Sequence, residues 1–194
     1  MSRKVLWTAL GLVASATPAF AHPGHLAVFG FGDGFVHPLG GLDHVLAMVA
    51  VGLLASQIGG RALWALPAAF LSMMAVGFAL GLSGSGLPFV ELAIAMSLVA
   101  FGTAVGFRLG PPVAVASMLV GAFAVFHGHA HGAEIPANAA ALSYGAGFLG
   151  ATALLHGVGL ALGYGLARMA APRVLQAAGG GVALAGLVLL AKLV

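Results

Sequence analysis

Two short stretches hold most of the side chains in this sequence that can ligate an ion or move a proton. The first, HPLGGLDH, carries His37, Asp43 and His44. The second, FHGHAHGAE, carries His127, His129, His131 and Glu134. Cysteine is absent, which excludes disulfides, thiolate metal sites and cysteine nucleophiles. Imidazole and carboxylate without sulfur suit borderline divalent cations such as nickel, cobalt, copper and zinc. His127 and His131 are four residues apart and Glu134 three further on, so a helix puts all three on one face and turns His129 to another side. His37 and His44 are seven apart, nearly two turns, and share a stripe if one helix begins at Pro38 and carries both. Asp43 is placed either to bind an ion itself or to orient the neighbouring imidazole.

The elements that must position these groups are hydrophobic to an unusual degree. Of 194 residues 61% are hydrophobic and 6% charged, with four acids against seven bases and a mean hydropathy of +1.12. A soluble domain carries about 25% charged residues to keep its surface wet. A surface facing lipid needs none, so the chain reads as an all-α membrane protein. Its seven scattered bases form no patch for nucleic acid. A span needs about 20 apolar residues, and six such runs follow residue 36, near 38–59, 62–82, 88–109, 112–132, 139–166 and 173–193. Breaks fall at Gly59-Gly60-Arg61, Ser83 to Gly86, Gly110-Pro111-Pro112, Glu134 to Asn138, and Arg168 to Arg173. Connections this short make neighbours antiparallel, which gives one six-helix transmembrane bundle over 22–194. The 31 glycines suit close helix packing in lipid.

Residues 1–21 read as a cleavable signal peptide: Arg3 and Lys4, then an apolar stretch from Val5 to Ala14, then Ala19-Phe20-Ala21 as the small-x-small cleavage pattern. The alternative is an uncleaved first helix. Cleavage leaves the mature N-terminus outside the cytoplasm, at the inner membrane of a bacterial-type cell. The loops after spans one, three and five then face inward and contain Arg61, Arg108, Arg168 and Arg173, while the outward loops after spans two and four hold no Lys or Arg. This agrees with the positive-inside rule and leaves the C-terminus, with Lys192, outside. In that topology span one starts and span four ends at the outer face, so both histidine stretches arrive at one depth, joined there by Glu91 at the start of span three. Ionisable groups in a membrane are costly and functional by default; the bland alternative is that they bond one another and hold helices together. His156, deeper in span five, reads either as a second station on a path or as a packing group. Asp33 reads as a loop residue. His22 and His25 of the mature HPGH terminus read equally as a metal-capturing end and as a polar start, and Pro23 denies that end one backbone amide.

The signal followed by HPGH, the segment GFxxGFxHPLxGxDH from Gly30 to His44, and FHGHAHGAE from Phe126 to Glu134 together resemble the HupE/UreJ family of nickel permeases associated with hydrogenase and urease maturation. The resemblance runs the length of the chain. It implies uptake of Ni2+, or of Co2+, with no resident cofactor. It also implies that an HX5DH segment falls on His37, Asp43 and His44, and an FHGxAHGxE segment on His127, His131 and Glu134, with His129 at a variable position. Spacing alone does not choose nickel over zinc. No GxxxxGK[ST] phosphate loop is present, so the expected activity is a secondary permease or facilitator and not an ATPase. Two rivals from other classes remain open: an intramembrane zinc hydrolase with histidine ligands and a carboxylate base, and a metal-binding membrane subunit that transports nothing.

Overall fold

A computed structural model describes residues 29–135, 139–169 and 171–193 of the chain. The signal reading of residues 1–21 and the candidate ligands His22 and His25 lie outside the described residues. Every regular element described is helical: α1 (Phe31–Val36), a 3-10 turn (His37–Gly40), α2 (Leu42–Ile58), α3 (Ala62–Leu82), α4 (Val90–Gly106), α5 (Val113–Ala133), α6 (Ala141–Arg168) and α7 (Pro172–Leu193). Helices α3, α5, α6 and α7 are long and apolar enough to cross a membrane, and α1 with its 3-10 turn plus α2 makes a fifth, broken span. The chain is therefore a multi-pass membrane protein. Where the sequence leads one to expect a sixth full span over 88–109, α4 is an apolar helix of 17 residues, stopped by Pro88 on one side and a chain reversal at Arg108 on the other.

Small residues decide which helices pair, because lipid offers no hydrophobic drive for helices to associate and close backbone approach must supply the attraction. Gly77 and Gly81 of α3 face Gly128 and Gly132 of α5, and a Cβ on any of the four would run into the partner's backbone, at Val125, His129, Met74 and Phe78 respectively. Gly52 of α2 and Gly159 of α6 meet in the same way, as do Gly102 of α4 and Gly179 of α7. Around these seams Met48, Phe70, Met74, Phe101 and Phe148 are fully buried. The pairs α3–α5, α2–α6 and α4–α7 thus make one bundle. Gly59 and Gly60, at φ +74° and +53°, make the tight α2–α3 reversal.

Two local expectations are corrected. The run near 38–59 is not one helix with His37 and His44 on a single stripe: the α1–3-10 segment and α2 meet at 90°. The break is at Gly41, which is extended (φ −101°, ψ 112°). Any side chain there would press on Asp43 Oδ1 and His44 Nδ1, at 2.8 and 3.0 Å from the Cβ, so glycine is what lets the chain turn without disturbing that pair. Asp33, expected in a loop, lies in the first turn of α1, where its carboxylate accepts the Gly30 N–H at 2.9 Å. Helix α1 is clamped to α6 through Gly34 and Gly147, each against the other helix's backbone, and Ala140 N–H donates to Phe29 O at 2.9 Å. That clamp delivers His37 to the bundle.

Candidate metal centre

The two histidine stretches, some ninety residues apart in sequence, meet at one end of the bundle. The His37 ring stands 4.8 Å from that of His131 by centroids; His44 lies 4.3 Å from His131 and 5.0 Å from His127. His37 Nε2 is 3.6 Å from Glu134 Oε2. One donor atom each from His37, His131 and Glu134 falls within a 4.8 Å span. Ligands on one ion at about 2 Å sit roughly 3 Å apart, so a cation would draw these three slightly inward.

The hydrogen bonds show which nitrogens are left to bind. His44 Nδ1 and Asp43 Oδ1 are 3.0 Å apart, and Oδ1 also accepts the His44 backbone N–H at 2.9 Å. A carboxylate only accepts, so Nδ1 carries the proton and Nε2 keeps a lone pair. That Nε2 is buried with no partner among the described residues. Ser97 of α4 makes the same assignment for His127. Its one hydroxyl proton goes to Ile94 O at 2.6 Å, so its oxygen must accept from His127 Nε2–H at 3.0 Å. His127 Nδ1 is left with its lone pair and no partner, and both nitrogens of His131 are also unpartnered among the described residues. An unsatisfied buried polar atom costs about 1–3 kcal/mol. Four such atoms lie at one place, on adjoining rings, a cost that a bound ligand would relieve.

Exposure falls along this row, from 61% at Glu134 and 38% at His37 through 12% at His44 to 2% at His131 and 0% at His127. The arrangement is a file of donors leading from a wet rim into the bundle. Aromatic rings wall it: Phe148 lies 4.1 Å from His131, Phe70 5.6 Å from His127, and Tyr144 5.8 Å from His37. Asp43 also borders a cleft of about 560 Å³ between α2 and α7, rimmed by Lys192.

The remaining candidates lie off this row. Glu91 is exposed in the first turn of α4, six residues or about 9 Å along the helix from Ser97, and among the described residues it makes none of the ring or ionic contacts that link the other six. His129 points away and donates from Nε2 to Ser85 O at 2.6 Å, which ties α5 to the α3–α4 connection. His156 is buried on α6 against Phe70, with ring centroids 5.0 Å apart. Ser97 and the aromatic walls went unread in the sequence. A lone serine in an apolar run is the one signal that pointed to the former.

The arginines gather at the opposite end. Ser56 and Gln57 closing α2, Arg108 after α4, Ala167 at the end of α6, and Ala171 and Pro172 at the start of α7 line a cavity of about 400 Å³ there.

Comparison with known proteins agrees with the motifs. Residues 10–189 match the family described as HupE / UreJ protein. The chain is 49% identical over 184 residues to Protein HupE of Rhizobium leguminosarum bv. viciae, covering 92% of this chain and 94% of that one. No solved structure matches it.

Proposed function

The chain belongs to the HupE/UreJ family, and from that premise we propose that it is a secondary permease carrying Ni2+, with Co2+ as an alternative cargo, inward across a bacterial-type cytoplasmic membrane. The family is one of transporters, linked to nickel and cobalt uptake for hydrogenase and urease. The observation that carries the reading is the graded row of donors: Glu134 and His37 at the rim, His44 held by Asp43, then His131 and His127, with lone pairs free on the buried rings. A hydrated divalent ion reaching the rim exchanges part of its water for these nitrogens and oxygens, one or two at a time. A bare ion in hydrocarbon is prohibitively costly, so stepwise replacement is what lets it enter.

The orientation belongs to the same proposal. A cleaved signal leaves the mature N-terminus outside, six helices return the C-terminus to the same side, and the histidine end faces outward. Arg61, Arg108, Arg168 and Arg173 then lie inward, as the positive-inside rule asks. In this reading α2 with its bent lead-in is the first span and the short α4 the third.

Metal uptake into cells carrying His37→Ala, Asp43→Asn or Glu134→Gln tests the reading: each should lose accumulation of Ni2+ at equal membrane expression. Wild-type uptake by all three would remove it. The zinc-hydrolase rival requires a tightly retained stoichiometric zinc, which elemental analysis of the purified protein detects. The non-transporting subunit requires that the chain alone moves no ion into liposomes.

A further inference from the structure

We infer that His156 forms an inner ion-binding station, one step further along the same path than the rim cluster. The inference rests on the permease reading and assigns it a residue that neither motif contains.

His156 is 1% exposed, and both of its ring nitrogens lack a hydrogen-bond partner among the described residues. A neutral imidazole always has one N–H to donate and one lone pair to offer. Leaving both unsatisfied in an apolar interior is costly, and a phenylalanine or leucine would fill the same volume without that cost. Packing therefore does not account for the residue. The rim histidines share the same feature, which makes His156 one of a set.

Its position continues their row. The Phe70 ring lies against both His127, at 5.6 Å between centroids, and His156, at 5.0 Å and nearly perpendicular. Along α6, Phe148 abuts His131, and His156 is eight residues on, about 12 Å deeper. Phe148, Thr152 and His156 recur at four-residue steps and share one face of α6, opposite Phe70 and Met74 at the same spacing on α3. The registers mesh, since Phe70 meets His156 while Thr152 Oγ1 lies 3.8 Å from Met74 Sδ. Thr152 commits its hydroxyl proton to Phe148 O at 3.0 Å, which leaves its oxygen lone pairs uncommitted. An imidazole, a hydroxyl oxygen and a thioether are thus available roughly midway between the histidine rim and the arginine end. The thioether is a softer donor than any at the rim, which suits nickel, cobalt or copper better than magnesium or calcium.

The test uses the full-length protein. Ni2+ influx into proteoliposomes is compared for the wild type, His156→Phe and Glu134→Gln, beside equilibrium dialysis of Ni2+ on the same proteins in detergent. His156→Phe should slow influx at least ten-fold while rim binding keeps its wild-type Kd, whereas Glu134→Gln should weaken both. Wild-type influx by His156→Phe overturns the station and leaves the permease reading standing. Absence of influx by the wild type removes that reading and the station with it. A second variant covers failure of His156→Phe to fold. The chain has no cysteine, so His156→Cys introduces its only thiol, and Cd2+ should give an ultraviolet thiolate charge-transfer band that Ni2+ displaces. A folded His156→Cys protein without that band also overturns the inference.

Discussion

The two ends of this bundle are both polar, yet they use most of their polar atoms differently. At the arginine end the donors are spent on backbone. Gln57 Nε2 donates to Ala104 O and Leu109 O at 3.1 and 2.8 Å, Ser56 Oγ donates to Leu53 O at 2.7 Å, and the Arg168 guanidinium lies over the Tyr164 ring at 5.5 Å. These groups finish helices and hold ends together. At the histidine end Asp43 and Ser97 each hold one nitrogen of an imidazole, and the nitrogens facing the row have no partner among the described residues. The arginine end also leaves single atoms unpartnered among the described residues, Gln57 Oε1 and the Ser117 hydroxyl, but only at the histidine end do such atoms gather on adjoining rings. The difference is visible only in the hydrogen bonds, because residue types alone make both ends look equally wet.

The contrast can be broken most severely at His131. Replacing this buried, unpartnered ring by leucine should cut Ni2+ uptake at least ~100-fold, since a ligand is removed outright, while the metal-free protein gains about 1–3 kcal/mol from losing an unsatisfied polar group. Thermal unfolding in detergent, with and without Ni2+, reads both effects, and added Ni2+ should stabilise the wild type only. A variant that melts lower without metal would show His131 to be ordinary glue.

Next in size is Asp43→Asn. The amide can still reach His44 but no longer fixes its tautomer by accepting only, so Ni2+ affinity should fall about 10–100-fold with little change in the fold. Isothermal titration checks this, and an unchanged Kd would leave the Asp43–His44 pair without a role in orientation.

Acid comes third. A ligating imidazole must be neutral, and protonation consumes the lone pair a cation needs. Uptake should therefore fall as pH drops from 7.5 to 5.5. Proteoliposome influx at fixed free Ni2+ measures it, and a rate that rises with acid would contradict the sign.

The smallest effect on transport is expected at the other end. Gln57→Leu removes two hydrogen bonds to backbone carbonyls and should lower stability by about 1–3 kcal/mol, with uptake kept within two-fold of wild type. A large loss of uptake there would mean that the arginine end also handles the ion.

Much of this was legible in the sequence, and the illegible part has physical causes. The apolar runs and their Gly/Pro breaks gave α3, α5, α6 and α7 within a few residues, because hydrocarbon thickness imposes a length. The His127, His131 and Glu134 face followed from helical spacing. The turn at Gly41 did not. Gly40-Gly41 looks the same inside a lipid-packed helix, where glycine is common, as at a hinge, and what separates them is the Asp43–His44 pair crowding the missing Cβ. Partners such as Ser97, Phe70 and Phe148 were hidden for another reason. These helices are apolar nearly all the way round, so no periodic stripe marks the face that meets a neighbour.

One consequence follows from the way glycine and histidine interleave in GHAHG. On α5 the pair Gly128 and Gly132 locks against α3, while His127 and His131 look into the donor row about 100° around the helix. Helix pairing and the placing of the proposed donor row are thus set by a single register. Inserting one residue just before His127 would rotate both faces together, jamming His127 and His131 against Met74 and Phe78 and leaving Ala130 where His131 met the donor row. A helix keyed in that way cannot swivel on its own without breaking its seam with α3.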